Sequence, residues 1–235
     1  MKNKRPKVIF FDLDHTLWDY KRNAKETMIG LHTNYLPKMS REISYSDFIK
    51  TYEGHNSRLW KAYREDKIDS KTLRKLRWHL TFTDLDVKIE KWVDEMGAEY
   101  LQTCPYKPHL MPNTISMLDQ LAAEYDLHLI TNGFLETQRI KIASSGLEGY
   151  FGQIFTPDSV QVKKPNPKIF AHALAEVGTL AEDAVHIGDN YEADVCGAMN
   201  AGVSPIFYNP DGKENPDSVR EIKDLEELVS MFVYA

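Results

Sequence analysis

The chain has 235 residues, 42% of them hydrophobic and 27% charged, which is the composition of an ordinary globular protein. It is long for one compact domain and short for two large ones, so a core domain with an inserted or appended module fits best. The net charge of −6 argues against non-specific nucleic-acid binding, and no apolar run approaches the ~18 residues that a membrane span requires. The basic start Met1-Lys2-Asn3-Lys4-Arg5-Pro6 is followed by only a short apolar stretch, which does not fit a signal peptide. Cys104 and Cys196 are far apart and lack metal-ligand spacing, so two free thiols in a reducing cytoplasm are expected.

Val8-Ile9-Phe10-Phe11 reads as a strand buried on both faces, and it stops at Asp12-Leu13-Asp14-His15-Thr16. The pattern is then helical from Asn23 to about Thr103. Asn23 is placed to cap a first helix, which Pro37 stops. Ser44 or Ser46 opens a second helix, with Phe48, Tyr52, Leu59, Trp60 and Tyr63. Asp69 or Ser70 opens a third, with Leu73, Leu76, Leu80 and Phe82, and Asp86 a fourth, with Trp92, Val93, Met96 and Tyr100. Short connections make these a small helical bundle. Residues 17–107 carry 17 Lys and Arg against 14 Asp and Glu, a mildly basic segment in an acidic chain that reads either as steering for anions or as solvated helix faces.

Beyond Pro108 strand and helix alternate. A helix from Asn113 or Thr114 to Tyr125 precedes a strand at Leu127–Ile130, and a helix over 134–145 precedes a strand at Phe151–Phe155. Asn166-Pro167 is a strong helix start. Strands at Ala184–Ile187 and Val203–Tyr208 flank a helix from Glu192 to Ala201, and Asp224 with Glu227 forms a capping box for a last helix. The expected fold is α/β: a Rossmann-like parallel sheet with helices on both faces, interrupted after its first strand by the bundle. The expected core is 1–17 with 106–235, and the inserted helical domain is 18–105.

Ligands bind at the carboxyl ends of strands in such sheets, so functional residues are sought there. Asp12 and Asp14 leave the first strand end, although Asp is also common in plain turns. Thr131-Asn132-Gly133 follows the second strand and suits a small anion-holding turn. Lys164 precedes Pro165-Asn166-Pro167 and can offer its ammonium to a phosphate, although a lone loop lysine is more often simply solvated. Gly188-Asp189 ends another strand, with Asp194 five residues on, a hard-oxygen arrangement suited to Mg²⁺. His186, inside a strand, reads as a packed core histidine.

In order, D-x-D-x-T, the Thr after a strand, the Lys ahead of Pro, and G-D-x-x-x-x-D resemble the four motifs of the haloacid dehalogenase (HAD) superfamily. The helical insert resembles that family's C1 cap, and the overall pattern, including Lys164-Pro165-Asn166-Pro167-Lys168-Ile169-Phe170, is similar to its 5′-nucleotidase branch. Dehalogenases proper lack the second acid, which Asp14 supplies here, and phosphoglucomutase-like members usually have D-x-D-G-V. The resemblance implies a Mg²⁺-dependent phosphatase acting on a small phosphorylated substrate, with nucleoside monophosphates as candidates. It makes Asp12 the nucleophile and Asp14 the acid and then base. It assigns the metal to Asp12, the Asp14 carbonyl and Asp189, with Asp194 in support, and phosphoryl binding to Thr131, Asn132 and Lys164. Thr16 is expected to fix the motif loop by hydrogen bonds. Trp18 and the insert's Asn56, Trp60, Tyr63 and Arg77 are candidates to face the substrate, with bundle packing the alternative for Trp60 and Tyr63 and a surface position for Arg77. A sugar-phosphate phosphatase, a mutase, a dehalogenase and a non-catalytic HAD-fold binding module are the competing readings. No nucleic-acid polymer or membrane partner is expected, and oligomeric state is left open.

Overall fold

Four consecutive apolar residues with no polar alternation require cover on both faces, and Val8–Phe11 (β1) receives it at the centre of a sheet, with every residue buried. In a computed structural model, which describes residues 5–234, β1 pairs in parallel with Asp126–Ile130 (β2) on one side and Ala184–Gly188 (β4) on the other. Ile154–Phe155 (β3) extends the sheet beyond β2. Ser204–Tyr208 (β5) and Glu221–Ile222 (β6) extend it beyond β4. The order is β3-β2-β1-β4-β5-β6, all parallel, so the strand order reverses direction beside β1. The basic residues 1–4 lie outside the described part.

The chain divides into two units, Met1–Tyr20 with Pro108–Ala235, and Lys21–Lys107. The first holds the sheet. Phe10 is fully buried, with ring contacts to His128 and Phe155, in a cluster that includes Ile169, Phe170, Ala173 and Leu174 of the helix Pro167–Glu176. Asn166 caps that helix as expected, its side chain accepting from Lys168 N at 3.0 Å ahead of Pro167. Asp224 and Glu227 also serve the last helix, Glu226–Phe232: Glu227 Oε1 accepts from Asp224 N at 3.0 Å and Asp224 Oδ1 from Glu226 N at 2.9 Å.

The second unit is helical, with the helices Tyr20–Tyr35, Tyr45–Arg64, Ser70–Asp84 and Lys91–Thr103, the first beginning just inside the other unit. Its interior is aromatic: Phe48 stacks on Phe82 at 5.8 Å, Phe82 meets Trp92 edge-on at 5.0 Å, and Tyr52 lies 4.8 Å from Trp78. Ser44 and Asp69 cap the second and third helices through Asp47 N and Thr72 N. Tyr63 is buried and Trp60 half-buried against it, whereas Arg77, expected as a possible surface residue, is buried with its guanidinium over the rings of Trp78 and Tyr100.

Several boundaries differ from the sequence reading, each for a local reason. The first helix starts at Tyr20, leaving Asn23 fully buried inside it rather than capping it. Asp86 takes φ 56° and closes the third helix through its N–H to Thr83 O, a left-handed exit that Asp tolerates, so the fourth starts later, at Lys91. Asn113 also has positive φ, and its amide donates to Asp224 instead of capping. The helix expected from Glu192 begins as a π-helical turn, Tyr191–Cys196, and continues as Gly197–Asn200. The two-residue β6 and the four-residue helix Pro157–Val160 are too short to show a period. Among the described residues no helix is long and apolar enough to cross a membrane.

Tyr208 and Tyr35 give the fold a defined alkaline limit. Burial, reinforced by Asp224 and Asp19, pushes the Tyr208 phenol up to about 12, and burial together with a 3.0 Å hydrogen bond to Glu99 does the same for Tyr35. Both groups favour the folded state while protonated. Their contribution is complete below the unfolded phenol value of about 10 and is lost as pH rises through the folded value. The thermal midpoint is therefore expected to fall between about pH 10 and pH 12. Tyr208→Phe, which cannot titrate, should show a shallower fall over that window in calorimetry at successive pH values.

Candidate active site

The register aligns the three central strands, with Phe11 beside Leu129 on one side and Ile187 on the other, and β2 and β4 run one residue further than β1. The residues that follow, Asp12, Thr131 and Asp189, therefore emerge at one edge of the sheet, beside the reversal of strand order where open α/β sheets bind ligands. Asp12 continues the ladder through its N–H to Ile187 O at 2.8 Å, which fixes its main chain while its side chain leaves the sheet.

Lys164 is the hub of this edge. Its ammonium donates to Asp12 Oδ1 at 2.7 Å, Asp194 Oδ1 at 2.6 Å and Ile130 O at 2.6 Å, so each of its three N–H bonds has an acceptor. The residue is 1% exposed. Burial opposes its charge, but Asp12 and Asp194 outweigh burial and hold its pKa above the ordinary lysine value. Asn132 fixes the Lys164 main chain from both sides, its Nδ2 donating to Lys164 O at 2.9 Å and its Oδ1 accepting from Lys164 N at 2.8 Å.

Asp194, carried by the π-helical turn, is held by three donors. Oδ1 takes Lys164 and the His186 ring nitrogen Nε2 at 3.0 Å, and Oδ2 takes Asn190 N at 3.0 Å. A Cβ at Gly188 would overlap the Asp194 carboxylate, so the strand ends in glycine where this side chain folds over it. Burial disfavours the Asp194 charge, yet Lys164 and His186 prevail and keep its carboxyl far below the usual range. His186 is itself depressed, chiefly by burial, so the neutral ring offers Nε2–H to the carboxylate. It is a packed core histidine, edge-on to Phe170, that also orients a site residue.

Asp12, Asp189 and Asp194 each place one carboxylate oxygen within 4.8 Å of the others, a set of hard oxygen donors of the kind that holds a divalent cation. Burial and the neighbouring charges of Asp194 and Asp189 push the Asp12 carboxyl well above its ordinary value in spite of Lys164. The repulsion behind that rise is what a bound cation would relieve. Asp189 is also raised, mainly by burial, and its carboxylate meets Lys213 Nζ at 3.1 Å.

Asp14 faces a different set of partners. On the helix Leu135–Ser144, Lys141 Nζ donates to its Oδ1 at 2.6 Å and Gln138 Nε2 to its Oδ2 at 2.9 Å. Burial opposes ionisation here too, but these donors win and lower the Asp14 pKa. The Gln138 amide also donates to Thr131 Oγ1 at 2.9 Å, and a Cβ on Gly133 would occupy the position of that amide. Trp18, a candidate for facing the substrate, is fully buried: its backbone bridges Asp14 and Leu110, and its ring lies 4.6 Å from the Lys141 ammonium. Thr16 is buried with no hydrogen-bond partner for its hydroxyl among the described residues, and the motif loop is held instead by backbone bonds such as Leu17 N and Trp18 N to Leu13 O, both 2.9 Å. Sequence reading missed Gln138 and Lys141. Their i, i+3 spacing on one face of a short helix after Thr131 was the available signal.

Residues 6–202 match the model of the haloacid dehalogenase-like hydrolases. The chain is 29% identical over 228 residues to the pyrimidine 5′-nucleotidase YjjG of Escherichia coli, covering 94% of this chain and 96% of that one. It is 31% identical over 215 residues to the pyrimidine 5′-nucleotidase PynA of Streptococcus pneumoniae, covering 89% and 86%. The crystal structure of the HAD-hydrolase YfnB from Bacillus subtilis bound to magnesium superposes with a TM-score of 0.87 at 25% identity, over 98% of this chain and all of that one. With its parallel sheet and its match over most of its length, the chain belongs to the haloacid dehalogenase-like hydrolase family.

Proposed function

We propose that the protein is a Mg²⁺-dependent phosphomonoester hydrolase that acts through an aspartyl-phosphate on small phosphorylated metabolites, with nucleoside monophosphates the favoured class. The observation that carries this reading is the contrast between two carboxylates two residues apart: Asp12 bound to Lys164 among further acids, and Asp14 turned to its own pair of donors. Titratable groups held in opposed environments are suited to divided roles, one as nucleophile and one as acid and base. The two nucleotidases support the substrate class. In this reading residues 1–17 and 106–235 are the core that carries the chemistry, and 18–105 is a C1 cap.

In the first half-reaction an Asp12 carboxylate oxygen bonds to phosphorus and the ester P–O bond breaks, its electron pair leaving with the alkoxide, which takes a proton from Asp14. In the second, water attacks phosphorus, Asp14 takes the water proton, and the bond from Asp12 to phosphorus breaks with its electron pair returning to the carboxylate. Lys164 remains at Asp12 throughout and offsets negative charge beside the transferring group. The Thr131 hydroxyl and the Asn132 N–H bind phosphoryl oxygens, and Thr16 supports the loop by filling its buried side. Asp12, Asp189 and Asp194, with the Asp14 carbonyl, would hold Mg²⁺, which when bound supplies positive charge against the phosphate dianion and polarises a phosphoryl oxygen. Asp14 favours a phosphatase over a dehalogenase, which has no leaving alkoxide to protonate.

Phosphate release from a panel of nucleoside monophosphates, sugar phosphates and small phosphoacids tests the reading. Release should be greatest on nucleoside monophosphates, vanish with chelator and return with Mg²⁺; Mg²⁺-independent turnover, or none on any member, would overturn it. Asp12→Asn should lower kcat by at least about 1000-fold while the thermal midpoint and circular dichroism stay those of a folded protein. Substantial activity in that variant would rule out the covalent route.

A further inference from the structure

Lys141 is a nearly closed-off lysine with no part in the reaction just described, and its surroundings are specific. It is 7% exposed, its ammonium lies between the Trp18 ring at 4.6 Å and Asp14 Oδ1 at 2.6 Å, and it stands one helical turn from Gln138, which takes the other Asp14 oxygen at 2.9 Å. Gln138 is fully buried and is tied in turn to Thr131 Oγ1, across a position that glycine 133 keeps open. Two donors on two oxygens fix both the rotation and the tilt of the carboxylate, because a bidentate pair defines a plane as well as a distance. Each carboxylate oxygen keeps a further lone pair, and the Asp14 side chain is a quarter exposed.

We propose that Lys141, assisted by Gln138, is a positioning residue that orients the Asp14 carboxylate as proton acceptor for the hydrolytic half of the reaction. The proposal rests on the phosphatase reading. Both donors meet Asp14 as an acceptor, the form in which it receives a proton from the attacking water while the oxygen of that water bonds to phosphorus and the electron pair of the Asp12–phosphorus bond returns to Asp12. Lys141, shut away from solvent, acts through Asp14 and not on the phosphate. Losing it should therefore slow breakdown of the aspartyl-phosphate more than its formation, provided the leaving group needs no proton.

4-Nitrophenyl phosphate supplies such a leaving group, and rapid-quench kinetics with Mg²⁺ separates the two halves. In Lys141→Met, kcat should fall about 100-fold, the range lost with a general base, with KM falling in parallel so that kcat/KM changes by no more than about threefold. A burst of one nitrophenolate per enzyme should precede the slow steady state. Lys141→Arg, which retains a cationic donor, should recover at least about tenfold of the loss. Loss of kcat/KM as deep as that of kcat without a burst, no loss at all, or an Arg variant no better than Met would overturn the proposal. Should Lys141→Met fail to show a cooperative thermal transition, Gln138→Met, which removes the other donor at similar volume, is read by the same burst and the same split. Failure of the wild-type protein to release phosphate from any substrate would instead count against the phosphatase reading itself.

Discussion

A buried ammonium with three acceptors fixes the working edge of this protein. Lys164 bonds at once to the residue that leaves β1, to the last carbonyl of β2 and to the carboxylate that folds back over the end of β4. Burying one charge costs several kcal/mol unless it is paired and hydrogen-bonded, and here every donor is satisfied. Removing the ammonium would leave Asp12 and Asp194 facing each other in a poorly hydrated space. Three segments far apart in sequence are thus held in one arrangement by a single atom, and the main chain behind that atom is held by Asn132.

The same hub divides the acids. Asp194 has Lys164, His186 and a backbone N–H, and it ionises readily. Asp12 shares Lys164 with Asp194 and is flanked by further acids, so its charge is disfavoured in the protein alone. Asp14, two residues on, is met by Lys141 and Gln138, which lower its pKa against burial. Chemically identical side chains acquire distinct properties from which donors reach them.

Much of this was legible in the sequence because it is local. An apolar run ending in acids declares a buried strand and its exit, and Asn166-Pro167 declares a helix start whatever surrounds it. Five of the parallel strands, with their intervening helices, follow from alternation, and the acidic or polar residues after them from their place in that order. What escaped is non-local or too short. Asp86 and Asn113 look like caps, but the chain uses their tolerance of positive φ instead. Glu221–Ile222 becomes a strand only because β5 offers an edge. Lys141 sits in a polar stretch typical of a solvated helix, and nothing nearby in sequence says that its face turns inward to meet a carboxylate 127 positions earlier.

The amide that grips Lys164 has a bearing on the chemical lifetime of the protein. Asn-Gly is the dipeptide most prone to lose ammonia, because the glycine nitrogen can attack the neighbouring amide carbon and close a succinimide ring. In Asn132-Gly133 both reacting groups are occupied: the amide by the Lys164 main chain, the glycine N–H by the Thr131 hydroxyl at 3.1 Å. Folding therefore restrains a degradation to which the sequence is otherwise inclined. Its product would set a carboxylate oxygen against the Lys164 carbonyl where a donor now stands, so an aged molecule would lose the grip on its own hub.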